Sequence, residues 1–156
     1  MSTFAKYGER GKNTSLIKGT PEIARPQAIP IETELPEFGA EYRERRELLL
    51  EQFIFETEYE ILPPHDINGV GLLYFATYPI IFDLGLEKFE GKGFLIGHST
   101  VSKDIYYFAN CEPSETLIIR VHSRDIDNGL IRHFLSLSRK SDGKRMAEVV
   151  SEKRAV

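Results

Sequence analysis

Hydrophobic and polar residues alternate in the segment 52–62, which reads QFIFETEYEIL, with an exception at Ile54. Successive side chains of a strand point to opposite faces of a sheet, so this alternation predicts a strand with one buried and one solvent-facing side. Pro63 and Pro64 follow directly. They predict the end of the strand, because proline has no backbone N–H to donate to a sheet.

The segment 69–89, GVGLLYFATYPIIFDLGLEKF, is apolar nearly all round and too long for one strand. A helix that is hydrophobic on every side is normally buried inside a domain. Pro79 restricts where such a helix begins, because proline is tolerated only in the first turn. We therefore predict a buried central helix that begins near residues 75–78, with a kinked helix as the alternative.

Three or four runs with strand-like patterns follow the helix. They cover residues 101–110, 115–124, 130–140 and 144–155. Asp142 and Gly143 separate the last two runs, and an Asp-Gly pair favours the tight turn of an antiparallel hairpin. The order of the elements predicts an α+β domain in which an antiparallel sheet wraps around one long central helix.

The first 46 residues differ in composition from the rest of the chain. Prolines at positions 21, 26, 30 and 36 interrupt residues 1 to about 40, and proline is excluded from the interior of helices and central strands. We therefore predict an extended N-terminal arm, followed by a short helix at 41–50 or a direct run into the first strand. The chain divides into an arm with its short helix, residues 1–46, and a single domain, residues 47–156.

The overall composition is that of an ordinary globular protein. The chain has 156 residues, of which 41% are hydrophobic and 28% charged. Its one cysteine, Cys111, allows no intrachain disulfide and favours a reducing, cytoplasmic setting. The net charge of −4 argues against nucleic-acid binding, and no run of about 18 apolar residues could span a membrane. We expect a cytoplasmic protein that binds neither nucleic acid nor membrane.

Residues 65–78, HDINGVGLLYFATY, resemble the loop-to-helix signature of hot-dog acyl-CoA thioesterases of the 4-hydroxybenzoyl-CoA type. The resemblance implies a hot-dog fold, with residues 69–73 on the turn that leads into the central helix. It places Tyr74 and Tyr78 on two aromatic positions of the signature and Asn68 on the catalytic carboxylate. An asparagine cannot serve as a general base, so the chain departs from these thioesterases at the residue that does the chemistry.

Residues 68–76, NGVGLLYFA, also resemble the second repeat of the leinamycin-type acyltransferase/decarboxylase family of polyketide biosynthesis, whose members are double hot-dog proteins. Residues 13–16 and the prolines after them resemble the joint between the two repeats of that family. Its catalytic tyrosine belongs to the first repeat, which this sequence does not contain. The resemblance therefore implies a class of reaction, acyl transfer or decarboxylation, without assigning catalytic residues.

Asn68, His65 and Tyr74 are the candidate catalytic residues. The amide of Asn68 can both donate and accept hydrogen bonds, so it could hold a thioester oxygen, a malonyl-type carboxylate or a water. His65 and Tyr74 could move protons. The alternatives are an ordinary Asn-Gly turn for Asn68, a solvated loop for His65 and a place in the core for Tyr74.

Four further residues are candidates for substrate binding: Gly69, Val70, Phe75 and His98. Unpaired amides at a helix N-terminus carry partial positive charge, so those around Gly69 and Phe75 could stabilise an oxyanion or an enolate. His98 could reach the site from the facing strand. An ordinary turn and an uninvolved histidine are the alternatives. The histidines and the one cysteine show no ligand spacing, and we expect no metal.

A basic cluster lies along the last predicted hairpin. It consists of Arg132, Arg139, Lys140, Lys144, Arg145, Lys153 and Arg154. Such a cluster could meet the phosphates of coenzyme A or an acidic carrier protein. A solvated hairpin edge is the interpretation that we favour.

Together these features predict an enzyme that processes acyl thioesters of coenzyme A or an acyl carrier protein, as an acyltransferase/decarboxylase of polyketide-type biosynthesis. An acyl-CoA thioesterase or dehydratase is one alternative, and a non-catalytic hot-dog half that pairs with a partner subunit is another. No separate cofactor is expected, because coenzyme A or phosphopantetheine is part of the substrate. Hot-dog sites usually form between two units, so the resemblance implies a homodimer or a heterodimer with another hot-dog domain.

Overall fold

The computed structural model describes residues 5–9, 12, 15–19, 44 and 46–156. Most of the predicted N-terminal arm, including residues 20–43, lies outside these residues. Within the arm, two short strands that the sequence did not predict, β1 (Ala5–Tyr7) and β2 (Leu16–Lys18), pair antiparallel. Residues 44 and 46–50 are helical, in agreement with the first of the two predictions for this segment.

Five strands form the main sheet, and all neighbouring strands are antiparallel. They are β3 (Phe55–Glu60), β4 (His98–Tyr107), β5 (Thr116–Asp127), β6 (Leu130–Arg139) and β7 (Arg145–Ala155). Their order is β3-β5-β6-β7-β4, which leaves β3 and β4 at the edges of the sheet. The predicted strands are present, but the first begins at Phe55 rather than residue 52, and the second begins at His98 rather than residue 101.

Three helical segments connect the first two strands of the sheet. They are α1 (Pro63–Asp66), α2 (Thr77–Glu90) and α3 (Phe94–Gly97). The long helix α2 begins inside the predicted window, and Pro79 lies in its first turn as expected. It packs on one face of the sheet, called here the inner face, where its buried residues include Tyr78, Phe82 and Leu86.

One contact explains how closely α2 approaches the sheet. A Cβ atom added at Gly85 would lie 2.7 Å from Cγ2 of Ile119 on β5. Real side chains do not tolerate such a separation, so glycine permits this distance between helix and strand.

The prediction that α2 is buried on every side is wrong for one face. Ile80 is 57% exposed and Leu84 is 41% exposed. The two residues lie one turn apart and form an apolar stripe on the side of the helix that the sheet does not cover.

The outer face of the sheet carries a second, smaller cluster, in which Phe134 and Val150 pack with Leu49 and Leu50 of the short helix. Glu148 is fully buried beside them. It accepts hydrogen bonds from Arg46 Nε at 2.7 Å and Arg46 Nη2 at 3.0 Å. The short helix therefore covers part of the outer face, and this ion pair crosses the predicted boundary between residues 46 and 47.

The hairpins of the sheet use two different turns. Asn128 and Gly129 form the two-residue turn between β5 and β6, with φ values of 48° and 76°. The predicted Asp142-Gly143 turn between β6 and β7 is present, but its loop is longer, because Ser138 pairs with Arg145 in the ladder. Among the described residues, no helix has the length and apolar character needed to cross a membrane.

Candidate functional site

The loop that leads into α2 folds around the side chain of Asn68. Asn68 Oδ1 accepts hydrogen bonds from the Val70 amide at 3.1 Å and the Leu72 amide at 3.0 Å. The Asn68 amide donates to the Leu72 carbonyl at 2.8 Å, and Ile67 and Leu73 form an isolated bridge beside it. Asn68 therefore organises the turn with its oxygen, as the alternative interpretation predicted, while its Nδ2 group has no acceptor among the described residues.

Asp66 anchors the start of this loop. The residue is 5% exposed, and its Oδ2 accepts hydrogen bonds from the Tyr59 hydroxyl and the Leu62 amide, both at 2.8 Å. Burial, together with the hydrogen bond and the negative charge of Asp66, raises the pKa of Tyr59 to about 12. The Asp66 carboxylate thus serves to hold the loop against β3.

Asn110, which follows β4, anchors the other end of the loop. Its Oδ1 accepts a hydrogen bond from the Leu73 amide at 2.9 Å, and its Nδ2 donates to the Leu73 carbonyl at 3.2 Å. Sequence reasoning did not identify Asp66 or Asn110 as loop anchors, because neither residue's partner lies at a spacing that a periodic pattern displays.

Amides without a hydrogen-bond acceptor among the described residues precede the first turn of α2. The Tyr74 amide donates to the Asp66 carbonyl at 2.7 Å and the Thr77 amide to the Tyr74 carbonyl at 2.9 Å. The amides of Phe75 and Ala76, which lie between them, have no acceptor among the described residues. Amides at the N-terminal end of a helix attract negative charge, so this position can bind the oxygen of a carbonyl that becomes an oxyanion.

Most of the predicted site residues lie together in this one loop. His65, Gly69, Val70, Tyr74 and Phe75 are all exposed, Tyr74 by 42% and Phe75 by 65%. The rings of Tyr74 and Phe75 contact each other edge-on with centroids 4.8 Å apart. We call the surface formed by residues 65–76 the entry loop.

His98 was also predicted to belong to the site, but within one chain it lies away from the entry loop. It is the first residue of β4, beyond the C-terminal end of α2, and the length of that helix, about 20 Å, separates it from the loop. Its Nδ1 lies 2.9 Å from the carbonyl oxygen of Phe94, and its ring stacks on the Phe94 ring.

A polar layer lies on the inner face beside the C-terminal half of α2. Its members are Asp83, Glu90, Lys103, His133, Ser151 and Lys153. The register places His133 opposite Ser151 and Ser151 opposite Lys103, so one row crosses three strands. Lys103 Nζ lies 2.7 Å from Asp83 Oδ2, and the nearly buried Lys153 Nζ lies 3.3 Å from Asp83 Oδ1. This buried charge was not predicted.

His133 is the centre of this layer on β6. It is fully buried, with Nε2 2.6 Å from Glu90 Oε1, while no residue that the structure describes forms a hydrogen bond with its Nδ1. Burial lowers the pKa of His133, and the nearby Glu90 carboxylate only partly offsets this effect. The neutral ring therefore donates its Nε2 proton to Glu90, whose pKa is lowered by the bonds from Arg124 and His133 against the opposing effect of burial.

His122, His133 and Cys111 also lie outside the entry loop. His133 is fully buried and His122 is half-buried, each within a strand. Cys111 is fully buried, and burial raises the pKa of its thiol to about 12, so it has no nucleophilic character. Among the residues that the structure describes, no three His, Cys, Asp or Glu side chains are grouped as metal ligands would be.

The predicted basic cluster does not form one surface. Lys153 points into the polar layer, Arg139 pairs with Asp142, and Lys140 pairs with Glu58. Lys144 and Arg145 instead lie on the outer face of the sheet.

Comparisons with known proteins identify the fold. No family model matches the chain, and no curated protein matches it in sequence. A 1,4-dihydroxy-2-naphthoyl-CoA thioesterase from Synechocystis superimposes with a TM-score of 0.55 at 14% identity, over 65% of this chain and 81% of that one. The 4-hydroxybenzoyl-CoA thioesterase from Pseudomonas sp. strain CBS-3 gives 0.58 at 13% identity, over 67% and 85%.

A hypothetical protein of Staphylococcus aureus, solved in complex with CoA, gives a TM-score of 0.57 at 17% identity, over 67% of this chain and 70% of that one. The five-stranded antiparallel sheet with its central helix therefore has the hot-dog fold, as the sequence resemblance implied. The structural neighbours are hot-dog acyl-CoA thioesterases.

Proposed function

We propose that the protein hydrolyses an acyl thioester of coenzyme A, the reaction that stood as an alternative in the sequence analysis. The observation that carries the proposal is the entry loop, which presents the unpaired Phe75 and Ala76 amides beside Asn68 at the start of α2. The structural neighbours are acyl-CoA thioesterases of the same fold, which supports a coenzyme A thioester as the substrate.

In the proposed reaction the thioester carbonyl oxygen accepts hydrogen bonds from the Phe75 and Ala76 amides. A water oxygen bonds to the carbonyl carbon, and the carbonyl oxygen becomes an oxyanion that these amides stabilise. The carbon–sulfur bond then breaks, and the coenzyme A thiolate takes up the proton that the water has lost. In this proposal Asn68 Nδ2 would donate to the substrate or to the water, since Oδ1 is already used by the turn.

Hydrolysis also needs a group that accepts the proton from water, and Asn68 cannot serve. Asp66 is nearly buried and already accepts two hydrogen bonds. We assign the role to His65, which is exposed on α1 at the edge of the entry loop. Asp83 is the second candidate: 29% of its side chain is exposed in the middle of α2, and its carboxylate would have to leave its ion pairs with Lys103 and Lys153 to take up a proton.

An acyltransferase/decarboxylase of polyketide-type biosynthesis is the second candidate function. It is supported by the resemblance of residues 68–76, and the amides that stabilise an oxyanion would equally stabilise the enolate left by decarboxylation. The structural comparisons favour hydrolysis over this function, since the neighbours from Synechocystis and Pseudomonas are thioesterases. A dehydratase would use the same amides to stabilise its anionic intermediate. A non-catalytic hot-dog half that pairs with a partner subunit would use none of them for catalysis.

The test is to incubate the purified protein with malonyl-, methylmalonyl-, aromatic and simple acyl-CoA, with and without a carrier protein, and to identify products by mass. Free acid and coenzyme A alone support hydrolysis. Loss of carbon dioxide or acyl transfer would replace it with the second candidate, and the absence of any product would contradict both.

Two variants at position 68 test the site assignment. Asn68→Ala removes the turn acceptor and the amide donors, and we expect a loss of turnover of about a hundredfold or more, as for single oxyanion-hole or acid–base groups. Asn68→Asp keeps the turn acceptor and adds a carboxylate that can accept a proton, so hydrolysis should rise. Equal rates in all three proteins would remove Asn68 from the site. His65→Ala and Asp83→Asn then decide which residue is the base.

A further inference from the structure

A cleft of about 610 Å³ opens on the outer face of the sheet, opposite α2. Its walls include Arg46, Phe108, Arg120, Ser138, Lys144 and Arg145. The side chains of β5 and β6 that line it alternate with the core residues that face α2, so the sheet separates this cleft from the helix side. Its volume falls within the range of small-molecule sites.

The floor of the cleft holds two guanidinium groups in place. Glu148 is fully buried and receives hydrogen bonds from both Arg46 and Arg145. Burying a carboxylate is costly unless it is paired, and apolar replacements for buried ion pairs often stabilise a protein. Glu148 therefore positions two cations at one surface, which is a stronger reason for its presence than stability.

Two polar groups that face the cleft lack partners among the described residues. Ser138 is 8% exposed, and no hydrogen bond of its hydroxyl is found there. Lys144 is exposed, and its ammonium group forms no ion pair in this part of the chain. A hydroxyl and a cation that both lack partners among the described residues, beside an arginine pair, are what an anionic ligand needs.

The charge of the cleft differs from that of the chain. Arg120 pairs with Glu56, and Asp142 pairs with Arg139. After the pairing with Glu148, the described residues around the cleft keep an excess of positive charge, whereas the whole chain has a net charge of −4. Any attraction of an anion to the cleft must therefore come from the charges around the cleft and not from the net charge of the chain.

We propose that the outer cleft binds a phosphorylated small molecule of nucleotide size, distinct from the acyl-CoA substrate. The phosphates would contact Lys144, Arg145 and Ser138. The apolar wall on the other side, where the Arg46 guanidinium lies 4.6 Å from the centre of the Phe108 ring, would receive a ring.

The experiment measures binding of ADP, pyrophosphate and adenosine to the full chain by calorimetry. We expect saturable binding of ADP and pyrophosphate, with ADP the tighter of the two, and none of adenosine. No saturable binding of either phosphate, or equal binding of ADP and adenosine, overturns the proposal.

Two variants and a matched control locate the site. Lys144→Ala and Ser138→Ala should each weaken ADP binding about fivefold or more, the effect of losing one hydrogen bond to a charged group. Lys140→Ala removes the same charge from the same hairpin, but Lys140 pairs with Glu58 and does not line the cleft, so binding should be unchanged. Equal losses in Lys140→Ala and Lys144→Ala would show unspecific attraction and overturn the proposal.

The binding test does not depend on catalysis, so it can succeed or fail independently of the proposed hydrolysis. Where hydrolysis is observed, saturating ADP should leave the KM for acyl-CoA unchanged, and Lys144→Ala should leave turnover unchanged. Competition between ADP and acyl-CoA would assign the binding to the substrate site and overturn the proposal of a distinct ligand.

Discussion

Under the proposed function, Asn68 would serve both the fold of the entry loop and the reaction. Its oxygen closes the turn through the Val70 and Leu72 amides, which leaves only its Nδ2 group for a substrate. A carboxylate at this position would close the same turn and add a base. The identity of this residue therefore decides the chemistry of the entry loop while the shape of the loop stays the same.

The histidine at the centre of the polar layer makes stability depend on pH. Burial lowers the pKa of His133, so near pH 6.5 the unfolded chain binds a proton that the folded chain excludes. Stability is then lost as the pH falls through the ordinary histidine range. The lowered pKa of Glu90 has the same sign but acts at more acidic pH, and that of His122 adds to the effect of His133.

We expect the unfolding free energy of the native chain to decrease between pH 7.5 and 5.5. The decrease should be smaller in His133→Gln. Chemical denaturation of both proteins at several pH values measures the unfolding free energy. His65→Gln is the control, because His65 is exposed and its change should leave the slope unaltered. Equal slopes in the native chain and His133→Gln would show that His133 takes up its proton without a change in folding.

Single residues of the site were predictable only where they are neighbours in sequence. The entry loop is one contiguous segment, and its resemblance to a family signature drew attention to Asn68, His65 and Tyr74. The polar layer depends on strand register, which brings His133, Ser151 and Lys103 into one row. The alternation of these residues with core residues indicated that their side chains point inward, whereas their polar character argued for the surface. The sequence alone could not decide which face of the sheet they occupy.

Elements were predicted where hydrophobic periodicity was clear. The alternation in β3 and the start of α2 near Pro79 are confirmed. The turn at Asn128 and Gly129 was missed, although an Asn-Gly pair is a strong signal for a two-residue hairpin. The hairpin of β1 and β2 was missed because proline and glycine in the arm suggested only extended chain.

The contact between α2 and β5 gives a prediction at this scale. In Gly85→Ala the new methyl group would lie 2.7 Å from Ile119 Cγ2, a branch close to the backbone that cannot easily move. We expect a loss of about 1–3 kcal/mol in unfolding free energy, despite the better helix propensity of alanine. Denaturant unfolding of the native chain and of Gly85→Ala measures this difference in unfolding free energy.

Gly97→Ala is the matched control for this variant, since nothing lies within 4 Å of a Cβ at that position. It should leave the unfolding free energy nearly unchanged. A neutral result for Gly85→Ala would mean that the helix can shift away from β5 at little cost.

At the scale of the molecule, the described residues leave an apolar surface uncovered on α2 and the edge strand β4. Ile80 and Leu84 are exposed on the helix, and Val101 and Tyr107 are about half exposed on the strand. An edge strand also has unpaired backbone groups that another strand can bond. Exposed apolar surface of this kind marks an interface, and we predict that a second copy of the chain covers it.

The double variant Ile80→Glu/Leu84→Glu should convert the oligomer into monomers, because four glutamates would be buried in each dimer without partners. Sedimentation equilibrium measures the change. Ile126→Glu is the control, since Ile126 is 62% exposed on the β5–β6 hairpin and should not affect assembly. A native chain that sediments as a monomer would contradict the prediction.

The ion pair between Arg46 and Glu148 sets a limit on how short the protein can be made. A fragment that starts at residue 47 would retain every strand of the main sheet, yet it would leave a carboxylate in the interior with one of its two arginines removed. We therefore expect the smallest independently stable piece to include Arg46, and trimming for crystallisation or for fusion to another protein should respect that.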